Sequence, residues 1–426
     1  MDAGTNAGVV IVGAGQAGGR VALLLAQRGY HGPVTLIGAE PLPPYERPPL
    51  SKEMLADPSH PLPVLAPTEE YERLGISLRL GCSVTAIDRG RRRVTMDDGG
   101  TLPYDRLVLA TGGRPRQLPF ALRSLQVLRS IGDVRAIAAR AETASSVLVV
   151  GGGVIGLEAA ATLRKRGLAV TVVEVGSRLL GRNFPEPVAA VIAERHAAEG
   201  VVLRTGVRIR KVEEDAGGLH ATLSDGSTVT ADFAVVGIGI TPDTVLAQDC
   251  GLVTDDGVVV DADMRSSDPA ILAVGDMAAI PGPDGRPMRC ETWQNANVTA
   301  ERAVATILGE AIPAGEASWF WTDQYDLNVQ LTGNTMAGGL DNGRVVEQRT
   351  AGTGAGGKGR LYLMLAGDRL VGAAAINAGR DMSICRRLVT AGVRLPAALL
   401  DSAQFDARAA RALLTPSAAS ARPVDA

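Results

Sequence analysis

A chain of 426 residues, 46% of them hydrophobic and with a formal net charge of −3, has the length for about three domains and the apolar content for a substantial core. The slight negative charge excludes the broad basic footprint of a general nucleic-acid binder, and no apolar run reaches the ~18 residues of a membrane span. Four dispersed cysteines without C-x-x-C spacing offer neither a metal site nor a redox pair, and are expected as buried thiols in a reducing cytoplasm. The four histidines are equally scattered and receive no role. No charged segment precedes the first apolar run, so no secretory leader is expected.

Val9-Val10-Ile11-Val12 reads as a buried strand running into Gly13-Ala14-Gly15-Gln16-Ala17-Gly18, with helical apolar spacing from Val21 to Ala26. This is the strand–turn–helix context in which G-x-G-x-x-G binds a dinucleotide. Gly13 permits the tight turn, Gly15 lets the backbone approach a pyrophosphate, and Gly18 lets helix and strand pack closely. Val34–Ile37 reads as the next strand, and Glu40 is the acidic candidate for the ribose hydroxyls, displaced from the strand end by Gly38 and Ala39. Three prolines make residues 44–52 a rigid loop carrying Arg47 and Lys52. Either it holds two cations still for a ligand or it is a solvated proline loop. Residues 76–98 read as strands around Arg89-Gly90-Arg91-Arg92-Arg93, an anion-binding run or a solvated hairpin tip. Leu107–Leu109 is a further strand, ending in Ala110-Thr111-Gly112-Gly113.

The opening element then recurs. Val147–Val150 leads into Gly151-Gly152-Gly153-Val154-Ile155-Gly156 and a helix-like segment, and Val170–Val173 ends directly in Glu174. Glu174 suits both ribose hydroxyls of NADH and repels the extra phosphate of NADPH, a preference that Arg178 and Arg182 just downstream would soften. Two complete units in one chain point to two bound dinucleotides. Short strands fill 203–233, Val235–Gly239 leaves the second unit, and Ile271–Val274 ends in Gly275-Asp276. Asp276 reads as a helix N-cap or as an acceptor for a polyol chain. Trp319-Phe320-Trp321 concentrates two of the three tryptophans, as a core strand or as a partner-facing aromatic anchor. Strands continue toward residue 400 with a short helix near 382–391. The Gly-rich 351–359 reads as a flexible loop, and the tail from about Pro416 as disordered.

From the first strand to about residue 400 the chain resembles the FAD-containing ferredoxin reductases of bacterial ring-hydroxylating dioxygenase and cytochrome P450 systems. The resemblance rests on PYERPPLSK (44–52), LVLATGGRPR (107–116), VVGGGVIGLEAA (149–160), AVGD (273–276), RCETWQNAN (289–297) and WFWTDQYD (319–326). GRNFPEPV (181–188) and RCETWQNAN look nearest to the phenylpropionate/cinnamate dioxygenase component. The fold so implied is α/β, with two Rossmann-like dinucleotide-binding domains and a C-terminal α+β domain. FAD binding is implied for 1–115 and 243–317, NAD binding for 116–242, an interface domain for 318–413, and a disordered tail for 414–426.

By the same resemblance, FAD is held by Gly13, Gly15, Ala17, Gly18, Glu40, Arg47, Lys52, Val84, Thr111, Gly112, Arg129, Asp276 and Trp293. NADH is held by Gly151, Gly153, Ile155, Gly156, Glu158, Glu174, Arg182 and Gly239. Lys52 and Glu158 are the implied catalytic pair, with Lys52 supporting negative charge on the reduced flavin. Trp319 and Trp321 begin the dock for a [2Fe–2S] ferredoxin, through which the downstream oxygenase is served indirectly. Candidates to steer an acidic ferredoxin are Arg289, Arg302, Arg380, Arg386 and Arg387. No metal site, nucleic-acid partner or membrane contact is expected, and the chain is expected as a monomer or weak homodimer. Two departures stand out: Gly38-Ala39-Glu40 replaces the commoner acidic pair, and the insert at 351–359 is unusual. Disulfide reductases on this scaffold carry a reactive cysteine beside the flavin, and this chain has none in place. An NADH oxidase and an NADH-sensing interaction protein remain the alternatives.

Overall fold

The structure, a computed structural model, describes residues 7–282, 285–336, 343–350 and 359–414. The Gly-rich loop expected at 351–359, apart from Gly359, and the tail from Pro416 lie outside the described residues. The chain forms two compact units. One comprises residues 1–121, 126–139 and 238–314, and the other comprises 122–125, 140–237 and 315–426.

The first unit is built on a parallel five-stranded sheet. Its strands lie in the order Ile271–Ala273, Arg106–Leu109, Val9–Val12, Val34–Gly38, Ile76–Leu80. Val9 to Val12 are at most 4% exposed, as a strand covered on both faces must be. The helices Gln16–Gln27 and Trp293–Leu308 pack together beside it. The glycine turn after Val12, the Thr111-Gly112 turn after Leu109 and the Gly275-Asp276 turn after Ala273 all leave the carboxyl ends of neighbouring strands. Ligands of open α/β sheets bind at that edge. Side hairpins complete the unit, among them Val84–Asp88 with Arg93–Met96. The arginine run forms the tip of this hairpin, where Arg91 pairs with Asp88 and Arg89 with Asp268. The proline loop contains one regular turn that its composition hides. Pro48–Ser51 is a 3₁₀ helix with proline in its first turn, where a missing N–H costs nothing.

The second unit repeats the plan. Val202–Arg204, Ala169–Val173, Ser146–Val150 and Phe233–Val236 run parallel in that order, flanked by the helices Val154–Lys165 and Glu186–Ala198. Its C-terminal part is an antiparallel five-stranded sheet, in the order Trp319–Gln324, Leu327–Gly333, Arg369–Ile376, Gly359–Ala366, Gly343–Thr350. The helix Gly379–Thr390 buries Met382, Ile384, Cys385 and Leu388 against it. Helices and an antiparallel sheet of this kind are the α+β addition expected of the third domain.

Candidate functional site

Both glycine turns have the geometry of a phosphate cradle. A Cβ on Gly13 would run into the Ala110 carbonyl, and one on Gly18 into the Gly13 carbonyl, so neither position admits a side chain. Gly13 also holds φ +114°, which L side chains rarely adopt. Around Gly15 the space is open, with nothing within 4 Å of an added Cβ. Gly15 is the N-cap of its helix, no side chain caps it, and no acidic residue stands in the first turn. The helix therefore keeps its N-terminal N–H groups and its positive dipole end for an anion. The second turn matches it. Gly156 is pressed on the Gly151 carbonyl, Gly153 faces open space, and the N-cap again carries no capping side chain. Residues of this kind fit a dinucleotide pyrophosphate at each turn.

In the first unit four of the sequence candidates, Glu40, Arg47, Arg129 and Asp276, form one connected network. Arg129 donates from Nη2 to Asp276 Oδ2 at 2.9 Å, and an added Cβ on Gly112 would lie 3.3 Å from the same Nη2. Asp276 therefore is not an N-cap: it lies inside the short Gly275–Met277 turn, which no side chain caps, and its carboxylate is paired with Arg129. Arg47 donates from Nη1 to the Arg129 carbonyl oxygen and from Nη2 to Glu40 Oε1 at 3.0 Å. Tyr45 donates its hydroxyl to Glu40 Oε2 at 2.6 Å and accepts the Ile131 N–H. Burial pushes the Tyr45 hydroxyl up to about 12, so it remains a donor. Arg47 and Tyr45 thus hold both oxygens of Glu40 and leave each with a further lone pair. Thr111 donates Oγ1 to the Asp243 carbonyl at 2.8 Å, and an added Cβ on Gly275 would touch Ala17 at 3.0 Å. Trp293 opens the helix Trp293–Leu308, whose N-cap Thr292 accepts from the Asn295 N–H. Lys52, half-buried, ends the 3₁₀ turn, and Val84 is buried at the start of its hairpin. Gly239 also falls in this unit, where its carbonyl accepts the Arg116 N–H.

In the second unit Glu174 is fixed at both carboxylate oxygens. Oε2 accepts the Gly152 N–H at 2.6 Å and Oε1 accepts the Gly176 N–H at 2.7 Å. Arg178 is not free to meet a phosphate. Its guanidinium donates to the carbonyls of Leu179, Leu180, Gly181 and Phe184 and braces its own loop. Arg182 is exposed, and Ile155 is 43% exposed on the first turn of its helix. Glu158, 3% exposed, accepts the Thr322 hydroxyl at 2.6 Å. Trp319 and Trp321, one strand repeat apart, stack at 4.8 Å, with the Arg386 guanidinium 5.0 Å over Trp319.

Two expectations need correction. Cys385 alone is fully buried; Cys82, Cys250 and Cys290 are partly exposed. All four are free, and burial is the leading cause that pushes each thiol up, so none is a thiolate poised for disulfide exchange. Arg289 is no surface charge either. Its side chain is 7% exposed and paired with Asp256 and Glu291. Sequence reading missed His196, which is fully buried on the helix Glu186–Ala198. No local pattern signals it, because its partners lie about 130 residues away.

Residues 7–300 match the pyridine nucleotide-disulphide oxidoreductase family, and 319–411 match the reductase C-terminal domain. The chain belongs to this family of two-dinucleotide flavoprotein oxidoreductases. Within it, the chain is 41% identical to the anthranilate 1,2-dioxygenase system ferredoxin–NAD(+) reductase component of Burkholderia cepacia, over 90% of this chain and 94% of that one. It is 37% identical to the 3-phenylpropionate/cinnamic acid dioxygenase ferredoxin–NAD(+) reductase component of Photorhabdus laumondii, over 90% and 96%. The crystal structure of the covalent putidaredoxin reductase–putidaredoxin complex superposes with a TM-score of 0.89 at 33% identity, over 96% of this chain and 99% of that one. The chain is thus a member of the ferredoxin–NAD(+) reductase group. Among its described residues no helix is long and apolar enough to cross a membrane.

Proposed function

We propose that this chain is an NADH-dependent reductase that binds FAD and passes electrons to a [2Fe–2S] ferredoxin serving a ring-hydroxylating dioxygenase or a cytochrome P450. The observation that carries the reading is the pair of uncapped glycine turns, one in each unit. A flavin, when bound, takes a hydride from the nicotinamide and returns its electrons singly, as an iron–sulfur partner requires. The protein's part is to bind, orient and tune.

The Gly13–Gly18 turn holds the FAD pyrophosphate, and Glu40, braced by Arg47 and Tyr45, holds the adenosine ribose. Thr111, Gly112, Val84, Arg129, Asp276 and Trp293 complete that site, within residues 1–115 and 243–317 together with Arg129. The Gly151–Gly156 turn and Ile155 hold NADH, Glu174 selects its ribose, and Arg182 borders the same ligand. Lys52 supports negative charge on the reduced flavin, and Glu158 faces the nicotinamide. Residues 318–413, with Trp319 and Trp321, form the ferredoxin dock. The protein works as a monomer or weak homodimer, and its four free cysteines agree with a reducing cytoplasm.

The test is NADH-driven cytochrome c reduction with and without a panel of [2Fe–2S] ferredoxins, repeated with NADPH. Strong stimulation by one ferredoxin with NADH preferred is the expected result. Fast NADH consumption with oxygen alone, indifferent to ferredoxin, overturns it in favour of an oxidase. In the same assay Lys52→Met should slow flavin reduction by NADH in stopped flow; an unchanged rate removes the lysine from the mechanism.

A further inference from the structure

Glu158 is one end of a buried hydrogen-bond relay that the proposed reaction does not otherwise use. Thr322 Oγ1 lies 2.6 Å from Glu158 Oε1, Gln324 Nε2 lies 3.1 Å from Thr322 Oγ1, and His196 Nε2 lies 2.8 Å from Gln324 Oε1. None of the four residues is more than 3% exposed. They come from three places in the sequence: the helix after the second glycine turn, the helix Glu186–Ala198 and the strand Trp319–Gln324. The far end is clamped. His196 meets the Tyr325 ring edge-on at 5.0 Å, Arg195 lies over that ring at 4.8 Å, and Arg195 pairs with Asp326 at 2.6 Å.

The chemistry of the donors allows two hydrogen arrangements. In the first, His196 donates from Nε2 to the Gln324 carbonyl, and the Gln324 amide donates to the Thr322 oxygen. The single Thr322 hydrogen is then left for a carboxylate at Glu158. In the second the amide is reversed. Thr322 then gives its hydrogen to Gln324, so Glu158 must itself be protonated to donate to Thr322. His196 must carry its hydrogen on Nδ1, which is buried and has no partner among the described residues. A buried ring nitrogen without a partner is unfavourable as a donor or as an acceptor, so Nδ1 favours neither arrangement. The first is the one the structure holds, with Gln324 Nε2 on Thr322 and Oε1 on His196; it needs no proton on Glu158, and it points every hydrogen toward that carboxylate.

We propose that His196, Gln324 and Thr322 are positioning residues. They form a one-way relay that holds Glu158 as an oriented carboxylate, its direction set by the Nε2–H tautomer of His196. The inference rests on the reading of Glu158 as the residue facing the nicotinamide. It is therefore tested beside Glu158→Gln.

Three measurements on the FAD-loaded full chain decide it. Histidine-selective ¹⁵N NMR, with only four histidines to resolve, should show His196 neutral and protonated on Nε2 in the wild type. A hydrogen on Nδ1 overturns the relay. Stopped-flow flavin reduction by NADH should fall roughly tenfold in Thr322→Val, as expected for loss of a hydrogen bond to a charged group, and return in Thr322→Ser. The Thr322→Val spectrum should also show His196 losing its single tautomer. A purely structural rivet would lower the melting temperature of Thr322→Val yet leave rate and tautomer unchanged, which overturns the proposal. If Glu158→Gln is itself as fast as wild type, the assignment of Glu158 fails, and the relay fails with it. If Glu158→Gln is slow and Thr322→Val is not, only the relay fails. Should Thr322→Val not fold, a wild-type hydrogen on Nδ1 of His196 still overturns the relay, and Thr322→Ala takes the place of the valine variant in the rate and tautomer measurements.

Discussion

Arg129 and Asp276, 147 residues apart, form an ion pair of 2.9 Å at the carboxyl edge of the first parallel sheet. Their side chains are 27% and 17% exposed, so the pair is screened but not fully solvated. Each is also a candidate flavin contact. Removing one partner strips a candidate ligand contact and leaves the other charge half-buried without its counter-ion.

Arg129→Gln and Asp276→Asn should each weaken flavin retention by roughly tenfold, the scale of one charge-assisted hydrogen bond. The double variant should lose less than the product of the two. Fluorescence titration of the apoprotein with FAD measures all four corners of the cycle. Strict additivity would mean that the two residues act independently on the flavin.

The glycines of the two turns separate packing from binding. Gly18→Ala and Gly156→Ala would drive a methyl into the Gly13 and Gly151 carbonyls, so both should fold poorly. Gly15→Ala and Gly153→Ala meet nothing within 4 Å and should fold normally. Their methyl groups instead occupy the approach to a phosphate. Gly15→Ala should therefore lose FAD at near-native melting temperature. Gly153→Ala should keep FAD and raise KM for NADH at least tenfold. If Gly153→Ala leaves KM unchanged, no pyrophosphate rests on that turn.

Glu174 and Arg178 divide the question of nicotinamide preference. Glu174 is tied to the Gly152 and Gly176 N–H groups, so its charge is held at the strand end. Arg178 is spent on backbone carbonyls. Glu174→Ala should raise the NADPH/NADH ratio of kcat/KM by about tenfold or more, the price of one like-charge repulsion removed. Arg178→Ala should lower the melting temperature and leave the ratio unchanged. A ratio that moves with Arg178 instead would show that its loop rearranges around the ligand.

Much of this site was legible in the sequence because its signals are local. Val9–Val12 and Ser146–Val150 announce buried strands, and the glycines after them follow from close approach alone. What stayed hidden depends on distant partners. Asp276 read equally well as an N-cap until Arg129 was beside it, and His196 had no local pattern at all. Arg289 looked like a surface charge until Asp256 and Glu291 enclosed it. Pro48–Ser51 was hidden for another reason, since prolines that forbid a helix interior are tolerated in its first turn.

His196 also gives the fold an acid-sensitive point. Burial is the main cause that holds its imidazole below the ordinary histidine range, and Arg195 adds to the effect. In the unfolded chain the same ring titrates near 6.5. Below that pH the unfolded state binds a proton that the folded state refuses, so stability is full above about pH 6.5 and falls as the pH drops. One pH unit below, the loss from this group reaches at most about 1.4 kcal/mol. His196→Gln keeps a donor toward Gln324 and cannot take up a proton, so it should remove this part of the acid loss. Melting temperatures of both proteins at pH 7.5 and 5.5 make the comparison. The wild type should lose more between the two values than His196→Gln does. An equal loss would mean that His196 protonates in the folded protein as readily as in the unfolded chain, and that the buried end of the relay admits charge.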